Sequence, residues 1–142
     1  MESRLSLITL GVSSLERSYQ FYTELGFPTS SNPDDNVIFF KTSGTRLALY
    51  PFEKLLEDIS HGLSITNPGF SGITIAHNTR EKSEVDSILE KAESIGAKIL
   101  KPAQDVFWGG YSGYFADPDG YVWEIAYADL WEFNDDGSLI LK

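Results

Sequence analysis

Hydrophobic and polar positions in the first half of the chain alternate in short runs around one helical stretch. The run Leu5–Val12 alternates with period two, which predicts a β-strand. Ser13 followed three residues later by Glu16 predicts a capping box at a helix start, and apolar residues then recur at helical spacing up to a stop at Gly26. Turn residues separate the extended runs that follow, and these predict three more strands. They are Phe27–Ser30, Asn36–Lys41 and Arg46–Tyr50.

The second half has the same order of patterns. A helix with a regular apolar face is predicted over Glu81–Ser94, with Gly96 as its stop. Asp117-Pro118-Asp119-Gly120 predicts a tight turn, because proline presets its φ, aspartate bonds to the nearby backbone and glycine accepts a positive φ. The predicted strands are Gly72–His77, Lys98–Leu100, Gly113–Asp117 and Tyr121–Tyr127.

The two halves therefore repeat one βαβββ module, and short sequences match between them, such as Ser6–Leu10 with Ser71–Ile75. We predict an α+β fold in which both modules form one domain, 1–127. Two sheets placed side by side leave a concave surface, which is a natural ligand cavity. The predicted parts are module 1 at 5–51, a connector at 52–69, module 2 at 70–127 and a C-terminal docking tail at 128–142.

Inside the connector, a short helix is predicted over Glu53–Ile59, followed by a loop over Ser60–Pro68. The tail carries several large apolar residues, which indicates that it docks on its own domain or on a partner subunit.

Composition excludes several classes of protein. The chain has 142 residues, no cysteine, and a net charge of −10 from 21 acidic and 11 basic residues. A thiolate metal site and a disulfide framework are therefore excluded, and an acidic chain is not expected to bind nucleic acid. No signal segment or membrane-spanning run is recognisable, so we expect a cytoplasmic protein without membrane contact.

Two stretches resemble the vicinal oxygen chelate superfamily, which includes glyoxalase I, bleomycin-resistance proteins and extradiol dioxygenases. The first comprises Leu10–Ser18 with Phe21-Tyr22 and Leu25–Phe27, and the second is Phe115–Glu124. With the duplication, the resemblance covers roughly residues 5 to 127. It implies paired βαβββ modules that form a glyoxalase/bleomycin-resistance/dioxygenase-type curved sheet around a cavity, commonly in a homodimer.

The resemblance also implies where a metal would bind. Metal-containing members use one position on the first and the last strand of each module, and in this chain those positions are Leu7, Ala48, Gly72 and Glu124. Only Glu124 has a ligating side chain, whereas a catalytic divalent site normally takes three protein ligands. We therefore expect no cofactor, and Zn, Ni, Mn or Fe is disfavoured.

The two histidines are weak replacements for the missing ligands. His77 has the opposite side-chain parity to Gly72, so we predict that it points to the other face of the strand. His61 falls in the connector, where a lone histidine is usually solvated. A non-standard site from Glu124, Asp105 and His61 is the remaining arrangement, and no spacing supports it.

The predicted cavity lining is mostly aromatic, which suits flat or cationic groups. Glu124 is either a partly solvated strand residue or an inward carboxylate that binds ligand or carries a proton. Trp108 and Tyr111 either line the cavity or pack against a second subunit. Trp123 and Trp131 are predicted to be structural. The predicted lining residues are Leu7, Phe39, Ala48, Tyr50, Trp108, Tyr111, Tyr114 and Glu124.

Three hypotheses about function follow. The first is metal-independent binding of a small organic molecule. The second is a lyase or isomerase of the glyoxalase type, in which Glu124 is the catalytic proton carrier or the one surviving metal ligand. The third is a non-catalytic structural or regulatory dimer module. The sequence leaves open whether the protein is an enzyme.

Overall fold

The computed structural model describes Met1, residues 5–59 and residues 69–140. It divides into two compact units, Met1–Ser71 (unit 1) and Gly72–Lys142 (unit 2). The elements of unit 1 are β1 (Leu7–Val12), α1 (Leu15–Leu25), β2 (Ile38–Phe40), β3 (Arg46–Pro51) and α2 (Phe52–Ile59). Those of unit 2 are β4 (Thr74–Asn78), α3 (Lys82–Ser94), β5 (Lys98–Asp105), β6 (Tyr111–Ala116) and β7 (Val122–Tyr127).

Helix α1 begins one residue later than the predicted capping box. The N-cap is Ser14, whose hydroxyl accepts a hydrogen bond from the Arg17 backbone nitrogen at 3.3 Å. The Ser13 hydroxyl instead accepts a hydrogen bond from the Arg17 guanidinium at 2.9 Å. The predicted capping box between Ser13 and Glu16 was therefore wrong. Gly26 ends the helix with φ 112°, the left-handed conformation that the sequence indicated.

The sheet of unit 1 has the strand order β1-β3-β2, with β1 parallel to β3 and β2 antiparallel to it. The predicted strand over Phe27–Ser30 is reduced to one bridge between Thr29 and Phe40. Side-chain hydroxyls bond to the Phe39 backbone in place of a regular strand partner. The Thr29 hydroxyl donates to the Phe39 carbonyl, and the Ser31 hydroxyl accepts from the Phe39 nitrogen.

The core of unit 1 is an aromatic cluster between α1 and the sheet. The Tyr22 ring lies 5.7 Å from that of Phe40 and 5.8 Å from that of Phe27, and Phe40 is 1% exposed. These rings come from α1, the segment that follows it, and β2. The cluster therefore fixes the helix against the sheet.

Helix α2 lies directly after β3, close to the predicted Glu53–Ile59, and packs close to β1. A Cβ built on Gly11 would lie 2.8 Å from Phe52 Cδ2 and 3.2 Å from Leu55 Cδ2, so a larger residue at position 11 would push the helix away. The predicted loop Ser60–Pro68 lies outside the described residues.

The sheet of unit 2 has the order β4-β7-β6-β5. Strand β5 runs five residues past the predicted end at Leu100, through Pro102. A proline inside a strand is tolerated here because β5 is an edge strand, and its register with β6 shifts twice between Ile99 and Gln104.

The predicted hairpin between β6 and β7 is present. Asp117 Oδ1 accepts hydrogen bonds from the backbone nitrogens of Asp119 at 2.9 Å and Tyr121 at 2.8 Å, and Gly120 has φ 90°. The turn chemistry predicted from these residues is therefore confirmed.

Helix α3 covers one face of this sheet. Its N-cap is Glu81, whose backbone nitrogen donates a hydrogen bond to the Glu84 carboxylate at 2.8 Å. Leu89 of α3 approaches Gly113 of β6 so closely that a Cβ on this glycine would lie 2.5 Å from Leu89 Cδ1.

The tail after β7 packs on unit 2 of its own chain. Trp131 stacks on Trp108 with ring centroids 5.7 Å apart, and the Arg80 guanidinium lies 4.7 Å from the centroid of Phe133. Leu139 forms a bridge with Phe133. Within the described ranges, no helix is both long and apolar enough to cross a membrane.

Candidate functional site

One face of each sheet is covered by a helix, α1 in unit 1 and α3 in unit 2, and we call the opposite face the site face. In unit 2 the pairs Tyr114–Glu124 and Phe115–Trp123 alternate across β6 and β7. Trp123 is buried and stacks on Phe115, on the face that α3 covers. Glu124 and Tyr114 therefore lie on the site face, and Trp123 has the structural role predicted for it.

Glu124 and Tyr114 form the polar centre of this face. The Tyr114 hydroxyl donates a hydrogen bond to Glu124 Oε1 at 2.7 Å, and both side chains are half-buried. The hydrogen bond to the carboxylate, helped by burial and by the negative charge, raises the pKa of Tyr114 from 10.0 to about 12. The phenol thus remains a hydrogen-bond donor at every physiological pH.

Because folding raises this pKa, the stabilisation that it supplies should be complete below pH 10 and disappear as pH rises toward 12. We expect the free energy of unfolding to fall across that window and to fall less steeply in Tyr114→Phe. Urea unfolding at stepped pH tests this, with ultraviolet titration of the phenols alongside. Equal slopes in both proteins would contradict the assigned hydrogen bond. The matched control is Tyr19→Phe.

Lys101 of β5 lies beside Tyr114 on the same face, and it was not among the site residues predicted from the sequence. Its ammonium nitrogen lies 5.9 Å from the Tyr114 ring centroid, and the two residues are register partners. The irregular register between Ile99 and Lys101 sets this pairing, so counting by twos along the strand could not have found it.

Tyr111 is not brought together with Tyr114, although both were predicted to line one cavity. Its hydroxyl donates to Asp86 Oδ1 of α3 at 3.0 Å, which places it on the helix side of the sheet. Lys82 lies 4.5 Å from the Tyr111 ring centroid and 2.7 Å from Asp105 Oδ1. The charged side chains of Asp86, Lys82 and Asp105 thus hold Tyr111 and the C-terminal end of β5 against α3.

The non-standard metal site is not assembled either. Asp105 pairs with Lys82 on the helix side, whereas Glu124 lies on the site face, and His61 lies outside the described residues. His77 pairs in register with Ile125, on the helix side as predicted from parity. Desolvation lowers the pKa of His77 although much of its surface is exposed, and the Glu84 carboxylate acts in the opposite direction.

Trp108 belongs to the loop between β5 and β6 and is stacked on the tail. Its indole is 40% exposed, lies against Trp131 and also covers Gly110, where a Cβ would come within 1.8 Å of the ring. The glycine is therefore required for the stacked position. Whether Trp108 also contacts ligand or a second subunit stays a prediction.

Gly110→Ala should displace the Trp108 indole from Trp131, because the added methyl group and the ring cannot occupy the same space. We expect a red-shifted tryptophan emission and a weaker near-ultraviolet circular dichroism signal, with the fold kept, since a ring can move more easily than backbone. Gly69→Ala, where no atom of the described residues lies within 4 Å of the new methyl group, is the control. An unchanged spectrum in Gly110→Ala would contradict the stacked arrangement.

In unit 1 all four predicted lining residues share the site face. Phe39 and Ala48 are register partners, and Leu7 and Tyr50 have the parity of Ala48 on β1 and β3. Phe39 and Leu7 are exposed, whereas Ala48 is fully buried. Burial raises the pKa of Tyr50, and the carboxylates of Asp58 and Glu57 in α2 raise it further. Helix α2 therefore reaches one end of this face.

The side chains at the positions implied for a metal do not fit one. Leu7 and Ala48 offer no ligating atom, and Gly72 lies before β4 with φ 82°, a conformation that L side chains rarely adopt. Nowhere in the described parts of the chain do three or more His, Cys, Asp or Glu side chains form a group able to hold a metal ion. The candidate chemistry of unit 2 is that of a carboxylate, a neutral phenol and an ammonium group.

Comparison with known proteins agrees with this fold. The family model for the Glyoxalase/Bleomycin resistance protein/Dioxygenase superfamily matches residues 4–125. A glyoxalase-related enzyme from Fulvimarina pelagi is 37% identical, with a TM-score of 0.86 and 98% of each chain covered. A hypothetical protein from S. aureus is 25% identical, with a TM-score of 0.74 and coverage of 90% of this chain and 95% of that one.

A lactoylglutathione lyase from Agrobacterium tumefaciens shares the fold at 22% identity and a TM-score of 0.65, with 92% of this chain and 98% of that chain covered. The fold and its paired modules define an α+β protein of the vicinal oxygen chelate class. The chain belongs to the Glyoxalase/Bleomycin resistance protein/Dioxygenase superfamily.

Proposed function

We propose that this protein binds a small organic molecule without a resident metal, and that Glu124 is the anchor for that molecule. The observation that supports this most directly is the half-buried Glu124 carboxylate on the site face of unit 2, with one oxygen accepting from Tyr114 at 2.7 Å. The second oxygen can accept from a ligand. A protonated amine is the partner that gains most, because a charge-assisted hydrogen bond is about twice as strong as a neutral one.

An aromatic side chain supplies the apolar contact expected for such a ligand. The half-buried Tyr114 ring lies beside Glu124 on the site face of unit 2. Flat and cationic groups both bind favourably to ring faces, so aromatic amines are the first compounds to test.

Glu124→Gln should weaken the binding of benzylamine by about tenfold or more, because the amide keeps the shape of the side chain and loses its charge. Isothermal titration calorimetry measures the change. The matched control is Glu90→Gln, the same substitution at an exposed position of α3. Equal affinity of all three proteins for benzylamine would contradict Glu124 as the anchor.

Metal independence has its own test. Elemental analysis of the purified protein should find no stoichiometric metal. Thermal-shift titration with Zn²⁺, Ni²⁺, Mn²⁺ and Fe²⁺ should leave the melting temperature unchanged, because only an ion that binds the native state stabilises it. A stoichiometric metal, or a shift that Glu124→Gln abolishes, would refute the proposal and make Glu124 a ligand.

A second candidate function is catalysis, and the Fulvimarina pelagi relative favours it because it is described as a glyoxalase-related enzyme. In that case Glu124 would move a proton, with Tyr114 holding the carboxylate in place. Turnover of lactoylglutathione by the wild type, lost in Glu124→Gln and unchanged in Glu90→Gln, would support a lyase. Binding of benzylamine without turnover would favour the first proposal.

We also propose that the protein acts in the cytoplasm and forms a homodimer, the assembly that its family commonly adopts. Phe107, at the tip of the β5–β6 loop, is fully exposed, and a second subunit would explain an apolar side chain in that position. Sedimentation equilibrium tests the assembly. A monomer at all concentrations would refute it.

A further inference from the structure

Charged groups on the site face of unit 2 are arranged in one row across three strands. Lys101 of β5 pairs in register with Tyr114 of β6, which pairs with Glu124 of β7. Neighbouring strands lie about 4.8 Å apart, so the two ends of the row are about 10 Å apart along the sheet. The Tyr114 phenol lies between a positive and a negative side chain.

A second lysine adds positive charge at the Lys101 end of the row. Lys98 of β5 pairs in register with Ala116, which has the parity of Tyr114 and so places Lys98 on the same face as Lys101. Two lysines thus lie on the site face of a chain whose net charge is −10. An anion would meet a locally favourable potential there despite the acidic protein around it.

The negative end of the row has room for a ligand group. The register partner of Glu124 on the next strand is Ala76, which is exposed and has the smallest side chain after glycine. Because Tyr114 approaches Glu124 from the β6 side, a donor from the ligand can approach the carboxylate from the β4 side, above Ala76.

We propose that the ligand of this protein is amphoteric, with a protonated amine that binds Glu124 above Ala76 and a carboxylate that binds Lys101. This inference rests on the proposed function and narrows it to a chemical class. The body of the ligand crosses the Tyr114 ring, which supplies an apolar surface between the two charged ends. A ligand with one charge uses only half of the row.

Three probes that share one benzene ring test this inference. They are benzylamine, phenylacetate and 4-(aminomethyl)phenylacetate, whose two charged groups lie at opposite ends of the ring. Calorimetry at low salt should show that the third binds roughly three- to tenfold more tightly than benzylamine, as expected for an added, partly desolvated ion pair. The ratio of the two affinities should shrink at high salt, because salt screens exposed charges.

Lys101→Met keeps most of the length of the side chain and removes its charge. In this variant 4-(aminomethyl)phenylacetate should bind no more tightly than benzylamine, so that the ratio of the two affinities falls to about one. Lys91→Met, the same substitution in the last turn of α3, is the control and should leave the ratio as in the wild type.

The outcomes separate the two proposals. A ratio near one in the wild type, with benzylamine still dependent on Glu124, overturns the amphoteric ligand and leaves the proposed function standing. A high ratio that survives Lys101→Met also overturns it, because the anion then binds elsewhere. Failure of all three probes to bind refutes both proposals.

Discussion

Replacing Gly113 with valine should destabilise unit 2 by about 3 kcal/mol, because no space for a side chain exists at this position. A Cβ there would lie 2.5 Å from Leu89 Cδ1 and 2.9 Å from both the Ala103 nitrogen and the Lys101 oxygen. The leucine methyl group can rotate away, whereas the two backbone atoms belong to β5 and cannot move without disturbing the β5–β6 ladder. Even Gly113→Ala should lower the free energy of unfolding by about 1 kcal/mol or more.

Urea unfolding followed by tryptophan fluorescence measures the change in the free energy of unfolding. Gly69→Ala, where a Cβ meets no atom within 4 Å among the residues that the structure describes, should stay within about 0.5 kcal/mol of the wild type. A Gly113→Val protein as stable as the wild type would show that β5 does not follow the irregular register that places Lys101 beside Tyr114. The same substitution should weaken binding of 4-(aminomethyl)phenylacetate, since Tyr114 is the next residue in the strand.

The two helices with strong apolar periodicity were predictable from sequence because local chemistry determines their ends. Gly26 and Gly96 adopt positive φ where the pattern of apolar residues stops. The Asp117–Gly120 turn was predictable for the same reason, because each of its residues favours one backbone conformation. These features need no knowledge of the tertiary structure.

Strand ends and irregular registers were not predictable in this way. The segment Phe27–Ser30 has the composition of a strand, yet the Thr29 and Ser31 hydroxyls bond to the Phe39 backbone and leave one bridge. Strand β5 was predicted to end at Leu100, yet it continues through Pro102 because an edge strand accepts a proline. In both places tertiary context, not local preference, decides the outcome.

The candidate site was predictable only as far as alternation extends along regular strands. Glu124 and Tyr114 lie together because β6 and β7 pair without a break. Tyr111 was placed with them, but it lies three positions before Tyr114 in the strand, so it has the opposite parity and lies on the α3 side. Lys101 was missed because its partner depends on a register shift that the sequence does not reveal.

Substitutions at the adjacent residues Phe40 and Phe39 should differ sharply in their effect on stability. Phe40 is 1% exposed within the aromatic cluster of unit 1, whereas Phe39 is 47% exposed on the site face. Phe40→Ala should lower the free energy of unfolding by about 3 to 5 kcal/mol, because it removes a buried ring and leaves a cavity beside Tyr22.

Phe39→Ala is the matched control for that loss, since it removes the same ring one position earlier in the same strand. Its stability should change by less than about 1 kcal/mol, because much of the ring is already in water. Urea unfolding measures both changes. Equal destabilisation by both substitutions would contradict the assignment of Phe40 to the core and of Phe39 to the opposite face of the sheet, because that assignment depends on the opposite parity of these two rings.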